Sequence, residues 1–251
     1  MSSWAGRRKL IYGGVTVVVI LTIIAYIIFN FLYKAPTCSD GLMNGDEKGI
    51  DCGGACQRLC QNDFIAPTVA WTSFDQVTPG LYNAAAYIVN PNANGEAVQV
   101  PYNIVLYDKD GVPIVYSSGF AHIPPNRNTL AFSGPLSVGK RIPYKVFFEF
   151  KAAPNWVKST DVLSSLAVVN KQYTEEASGS SLLVTLRNSS VMPVGSITVY
   201  VVLSDKDSNI IGFSKTKIDG IAGKGSATAP FTWPVSRQGK VISIEVLPVA
   251  E

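Results

Sequence analysis

Hydrophobic and polar residues follow three rhythms along this chain. From Leu10 to Tyr33 there are 24 consecutive residues without a charge, with Val15–Phe29 interrupted only by Thr16, Thr22 and Tyr26. From Cys38 to Cys60 no period survives, because Gly and Asp break the segment every few residues. After Asn62, short β-branched and aromatic runs alternate with Pro, Gly, Asn and Asp, the pattern of strands joined by turns.

The first rhythm predicts a membrane-spanning helix. At about 1.5 Å per residue it exceeds a hydrocarbon core of roughly 30 Å, and a helix satisfies its own backbone in lipid. Tyr12, Tyr26, Tyr33 and the nearby Trp4 have the amphipathic character of residues at headgroup level. Arg7, Arg8 and Lys9 precede the span and Lys34 alone follows it. The positive-inside rule therefore expects a cytoplasmic N-terminus and an extracytoplasmic remainder. A cleaved signal has an apolar region of about 7–15 residues and a small-residue cleavage site. This run is longer, Phe31–Pro36 offers no small-x-small pair, and Ala35-Pro-Thr before Cys38 is no lipoprotein box. An uncleaved anchor is expected, with a tail of about nine residues too short for a cytoplasmic domain.

The third rhythm divides into two sets of candidate strands. The first is 69–74, 81–90, 98–108, 112–121, 129–132 and 141–150; the second is 162–173, 180–187, 195–205, 210–218, 225–231 and 241–247. Val100–Gly111 aligns with Ile197–Ser208 at an offset of 97, and Val89-Asn90 corresponds to Arg187-Asn188. Phe132–Pro135 matches Phe231–Pro234 at an offset of 99, and Glu149 and Glu245 end the match. A tandem duplication is expected. Tyr102, Ile104 and Leu106 share one strand face, as do Val199, Val201 and Leu203. Asp108–Gly111 reads as a hairpin turn with Gly111 at positive φ, and Asp205–Asn209 as its counterpart with Asn209 in that role. Each set is sandwich-sized. Lys151–Thr160 reads as the joint, with Trp156 buried at the boundary. The Asn…strand…Leu-Tyr-Asp-x-Asp-Gly order resembles FxLYD-type immunoglobulin-like modules of prokaryotic envelope proteins. Val105-Leu-Tyr-Asp108 and Ser204 depart from that motif, and neither copy has the cysteine pair of antibody domains.

All four cysteines, Cys38, Cys52, Cys56 and Cys60, fall in the middle segment. Outside the cytoplasm an even count in a short stretch implies two disulfides, with three pairings open. Such a glycine- and acid-rich segment needs covalent staples in place of a core. Read whole, it resembles a short module of microbial surface proteins with the pattern C-x-D-G-x-x-N-G-x-E-x-G-x-D-C-G-G-x-C followed by another Cys. The resemblance implies a secreted, disulfide-stapled element, commonly next to other surface modules, and does not imply a catalytic activity. Asp40, Asn44, Asp46, Glu47 and Asp51 are candidate calcium ligands, weighed against the ordinary turn preference of such residues. An EF-hand register is excluded because Leu42 would occupy its third position. Spacings of 13, 3 and 3 do not suit a zinc site.

Charge sharpens this picture. The net charge is +3, yet removing Arg7, Arg8 and Lys9 leaves 18 basic against 18 acidic residues in 34–251. A neutral remainder with 16% charged residues lacks the footprint of a nucleic-acid binder. His122 is the only histidine and has no nucleophile or acid beside it in sequence, so a structural role is expected. No phosphate loop, dinucleotide fingerprint or metalloprotease helix is present. Asn188-Ser-Ser190 is a glycosylation sequon.

The expected protein is mainly β: two tandem immunoglobulin-like sandwiches after a transmembrane helix and a disulfide-rich stem. Its segments are 1–9 (tail), 10–33 (helix), 34–62 (stem), 63–155 and 156–251 (sandwiches). The expected role is non-catalytic binding or assembly at the cell envelope, with a protein or glycan partner and no cofactor besides the candidate calcium. The alternatives are an accessory subunit of a secretion or pilus-type machine and, third, an envelope hydrolase.

Overall fold

A computed structural model describes residues 4–32, 35–237 and 239–250. The chain forms two compact units, Met1–Cys56 and Gln57–Glu251.

In the first unit, α1 (Trp4–Leu32) carries the apolar run. Its stretch Gly6–Phe31 is long and apolar enough to cross a membrane and is unburied throughout. A signal sequence meets the same criterion of length and composition. The helix hides its polar side chains against itself: Thr16 donates to Tyr12 O (2.8 Å), Thr22 to Val18 O (2.7 Å) and Asn30 to Tyr26 O (2.9 Å). Both threonine hydroxyls and one Asn30 N–H thus donate within the helix, the internal satisfaction that a lipid setting favours. Tyr33 and Lys34, used above for span and orientation, lie outside the described residues.

Among the described residues the second unit holds thirteen strands, and the expected mainly β architecture holds. The first six are β1 (Thr68–Thr78), β2 (Leu81–Val89), β3 (Gly95–Tyr107), β4 (Pro113–Ile123), β5 (Thr129–Ser137) and β6 (Lys145–Phe150). A two-residue β7 (Val157–Lys158) precedes β8 (Leu166–Glu176), β9 (Gly179–Asn188), β10 (Ile197–Ser204), β11 (Ile210–Ile218), β12 (Ser226–Trp233) and β13 (Ser243–Ala250). They form antiparallel sheets ordered β1-β2-β5, β4-β3-β6, β12-β9-β8 and β11-β10-β13. The first two enclose a core with Ile88, Ile104, Leu106 and Ile123, and the last two enclose one with Leu182, Leu186, Ile197 and Leu203.

A third apolar cluster joins the sandwiches. Ala85, Tyr87 and Leu130, on the outer face of β1-β2-β5, pack with Val202, Phe213 and Leu247, on the outer face of β11-β10-β13. Four sheets therefore stack with three apolar layers between them, and the central strands β2 and β10 are covered on both faces. Strands covered on both faces read as unbroken apolar runs, hence Ala84–Val89 and Val199–Leu203.

Three expectations need correction. Trp156 is buried (1% exposed) within the first core, its ring 5.3 Å from Phe64, and β7 beside it pairs with β3. The apolar joint is thus part of the first sandwich's packing. Phe132 and Phe231 point to opposite faces, outward to the seam and inward to the second core respectively. The register pairs Ala131 with Ala86 and Ala229 with Val184, so the sequence match there is one residue out of phase. The third correction concerns the second hairpin turn: positive φ falls at Ser208 (+64°), while Asn209 donates to Asp205 Oδ2 at 3.0 Å.

Candidate functional site

The stem loop brings the predicted residues together through local bonds. Asp40 accepts from Leu42 N (2.9 Å), Thr37 N (3.2 Å) and Asn44 Nδ2 (3.0 Å). The Asp51 carboxylate accepts from Gly41 N at 3.1 and 3.0 Å, and Glu47 Oε2 from Asp51 N at 3.2 Å. Asp46 contributes its carbonyl, which accepts from Ala55 N at 3.2 Å. These carboxylates serve as turn acceptors for the loop's own amides. Gly54 (φ +53°) passes so close that a Cβ there would lie 1.5 Å from Asp46 O. The second glycine of the motif's Gly-Gly pair is therefore required by sterics.

Cys38 and Cys56 form a disulfide, Cys52 and Cys60 are also disulfide-bonded, and no described cysteine is free. Cys38, Glu47 and Cys56 have ligand-type atoms within 4.8 Å of one another. The two sulfurs belong to one disulfide and offer no thiolate, the form a metal needs. The topology residues Arg7, Arg8 and Lys9 lie exposed on the first turns of α1, with the Arg8 guanidinium 3.7 Å above the Trp4 ring.

His122 is engaged at both ring nitrogens, Nδ1 2.8 Å from Ala250 O and Nε2 3.4 Å from Glu96. It ties β4 to the end of β13, a structural post. Asn188, the sequon residue, is fully buried and its Nδ2 donates to Met192 O (2.7 Å), Ala222 O (3.3 Å) and Ile221 O (3.4 Å). The atom a glycan would use is occupied inside the fold. Asn90 makes the same clasp: Nδ2 donates to Pro124 O (2.6 Å) and Gly95 O (2.9 Å), and Oδ1 accepts from the amide two residues on, as Asn188 Oδ1 does.

Two polar pairs join the sandwiches at the seam. Tyr87 donates to Glu245 (2.7 Å) and accepts from Asn128 (3.0 Å); burial and then the neighbouring carboxylate push its hydroxyl up to about 12. Asp75 meets Arg237, and burial raises its carboxyl against the pull of the guanidinium. At the hairpins, Arg141 holds Asp108 below the usual carboxylate range, and Asn209 does so for Asp205.

Sequence reasoning missed one surface. The outer face of β4-β3-β6 carries Tyr116 (70% exposed), Phe120 (72%) and Phe147 (44%). Register sets Tyr116, Val105 and Phe147 side by side in one row, with Ser118, Asn103 and Glu149 in the next. That polar row is internally bonded, Ser118 to Asn103 at 2.8 Å and Asn103 to Glu149 at 3.0 Å. The signal was the period-two spacing of Tyr116, Ser118 and Phe120 on a face that solvent normally keeps polar. A cleft of about 390 Å³ lined by Tyr107, Lys109, Tyr144, Lys145 and Phe147 borders it. A larger cleft, about 950 Å³, lies among Leu59, Asn62, Phe64, Asn92 and Asn94.

No protein-family model and no curated protein matches the chain. Among solved structures, a β-glucuronidase of glycoside hydrolase family 2 aligns over 69% of this chain and 24% of its own length, at 9% identity and a TM-score of 0.26. Red sea bream transglutaminase aligns over 73% and 29%, at 12% identity and 0.24. A tandem CBM22 domain from Paenibacillus barcinonensis Xyn10C aligns over 74% and 86%, at 6% identity and 0.14. The chain spans about a quarter of the length of the first two proteins, and similarity at this level carries no functional argument.

Proposed function

We propose that this is a single-pass, membrane-anchored protein that displays a disulfide-stapled stem and two β-sandwich modules outside the cytoplasm for binding or assembly at the cell envelope, without catalysis. The observation that carries the reading is one chain joining a wholly unburied 26-residue apolar helix to a segment with no free described cysteine and to a four-sheet stack. Disulfides persist where the surroundings oxidise, which supports the orientation expected from Arg7, Arg8 and Lys9. His122, spent on Ala250 O and Glu96, is consistent with a scaffold.

In this reading the sandwiches are a tandem duplication of FxLYD-like modules. The matching strand orders and the paired clasps at Asn90 and Asn188 support it. The loop's Asp40, Glu47 and Asp51 carboxylates act as turn acceptors while the buried Asn44 Oδ1 has no hydrogen-bond partner, and calcium binding to the loop is an added property tested by melting with and without the ion.

The test is topology in the native membrane, read by labelling single cysteines with an impermeant maleimide. Label at residue 3 only after permeabilisation, and at residue 219 in intact cells, is expected. The reverse pattern, or release of the chain from the membrane, overturns the proposal.

A further inference from the structure

Three of the four outer sheet faces are accounted for. Those of β1-β2-β5 and β11-β10-β13 bury each other. That of β12-β9-β8 is mainly polar: Asn170, Gln172, Thr174, Thr185, Arg187 and Thr228 dominate it, with Leu183 and Pro230 among the apolar exceptions and Val168 and Val169 exposed at the β8 bulge. The face of β4-β3-β6 is mixed: it exposes Tyr116 and Phe147 on either side of the buried Val105, next to the polar row of Ser118, Asn103 and Glu149. It corresponds in strand order to the buried face of β11-β10-β13. Val105 and Tyr116 are register partners in one and Val202 and Phe213 in the other. Phe213 is 1% exposed beneath its neighbour sheet and Tyr116 is 70% exposed. Large exposed aromatic side chains rimmed by polar residues are a feature of interaction surfaces.

We infer that a second copy of this chain covers the face, forming a two-fold pair through β4-β3-β6. Charge complementarity selects this occupant. Lys145, Phe147 and Glu149 alternate along β6 on the outer face, and Lys145 has no acidic partner among the described residues. A two-fold axis between two such faces, perpendicular to the strands and over Phe147, runs each β6 against its mate in reverse. Lys145 then meets the second copy's Glu149, and Glu149 the second copy's Lys145, while the Tyr116–Val105–Phe147 rows meet each other. Such a contact is isologous and closes at two. Three strands make less than the roughly 800 Å² per partner of a standard interface, so the pair relies on the proposed anchoring to concentrate copies in one membrane.

The test uses the full chain reconstituted in liposomes, with a photo-crosslinking benzoylphenylalanine at position 116 and the yield of doubled-mass product as readout. Lys145→Glu and Glu149→Lys should each lower the yield about tenfold, the scale of close interfacial charge couplings. The combined Lys145→Glu/Glu149→Lys swap should restore it. Melting temperatures of all four proteins should agree, since both positions are exposed. No doubled product, single reversals without effect, or a swap that fails to rescue overturns the inference. The readout reports self-association alone, so its failure leaves the topology result standing.

Discussion

Asp75 and Arg237 stand 162 positions apart in the chain and meet through two hydrogen bonds of 2.9 and 2.7 Å, with side chains 9% and 11% exposed. The pair bridges β1 of one sandwich and the β12–β13 loop of the other, and the guanidinium lies against Gly212. Arg237→Met strands a buried carboxylate and should cost about 3 kcal/mol in urea unfolding, more than Asp75→Asn/Arg237→Met together. Equal losses would show that the charge is solvated.

The same carboxyl gives a pH signature. Burial raises Asp75 above its ordinary 3.8. It therefore holds its proton more tightly folded than unfolded. Its contribution to folding is least favourable above the raised value, grows as pH falls through it, and is complete below 3.8. The stability difference between wild type and Asp75→Asn, followed from pH 7 to 3, should move in favour of wild type as pH falls.

Tyr87 should be a late-titrating tyrosine. Its hydroxyl is raised from 10.0 to about 12, so its share of stability is intact below pH 10 and lost as pH climbs to about 12. Tyr87→Phe should remove the slowest-rising part of the 295 nm alkaline titration and lower stability by about 1–2 kcal/mol.

The two asparagine clasps should behave alike. Asn90→Ala and Asn188→Ala each leave buried carbonyls unpaired and should cost about 1–3 kcal/mol. Made in a host that glycosylates sequons, the folded protein should show no glycan at Asn188 by mass mapping, because Nδ2 is bound to three carbonyls.

Ser208 sits at φ +64° where the first hairpin has Gly111 at +74°. A left-handed residue with a Cβ costs roughly 1–2 kcal/mol, so Ser208→Gly should stabilise the chain by about 1 kcal/mol in thermal unfolding. A loss would place the turn's preference in the Asp205–Asn209 bonds instead.

Strands were legible because each alternates or runs apolar between turn residues; all twelve candidates overlap an observed strand. The two-residue β7 carried no such signal, since pairing with Gly95 and Glu96 comes from the buried Trp156 beside it. The seam was illegible for a different reason. Ala85 and Tyr87 look like any apolar strand residues, and only the stack reveals that they face a second sandwich. Tyr87 and Glu245 are 158 residues apart, a separation no local pattern reports. The acidic loop was legible in composition, while the direction of its carboxylates toward Gly41 and Leu42 amides depended on backbone geometry.

The double burial of β2 and β10 bears on how such a chain can be inherited. A sandwich whose outer face is polar can be cut out, duplicated or recombined as a free cassette. Here Tyr87 and Phe213 would each be laid bare by separation. The seam thus converts two potentially portable cassettes into a single heritable block, and recombination breakpoints compatible with folding should fall before β1 or after β13, seldom between β7 and β8.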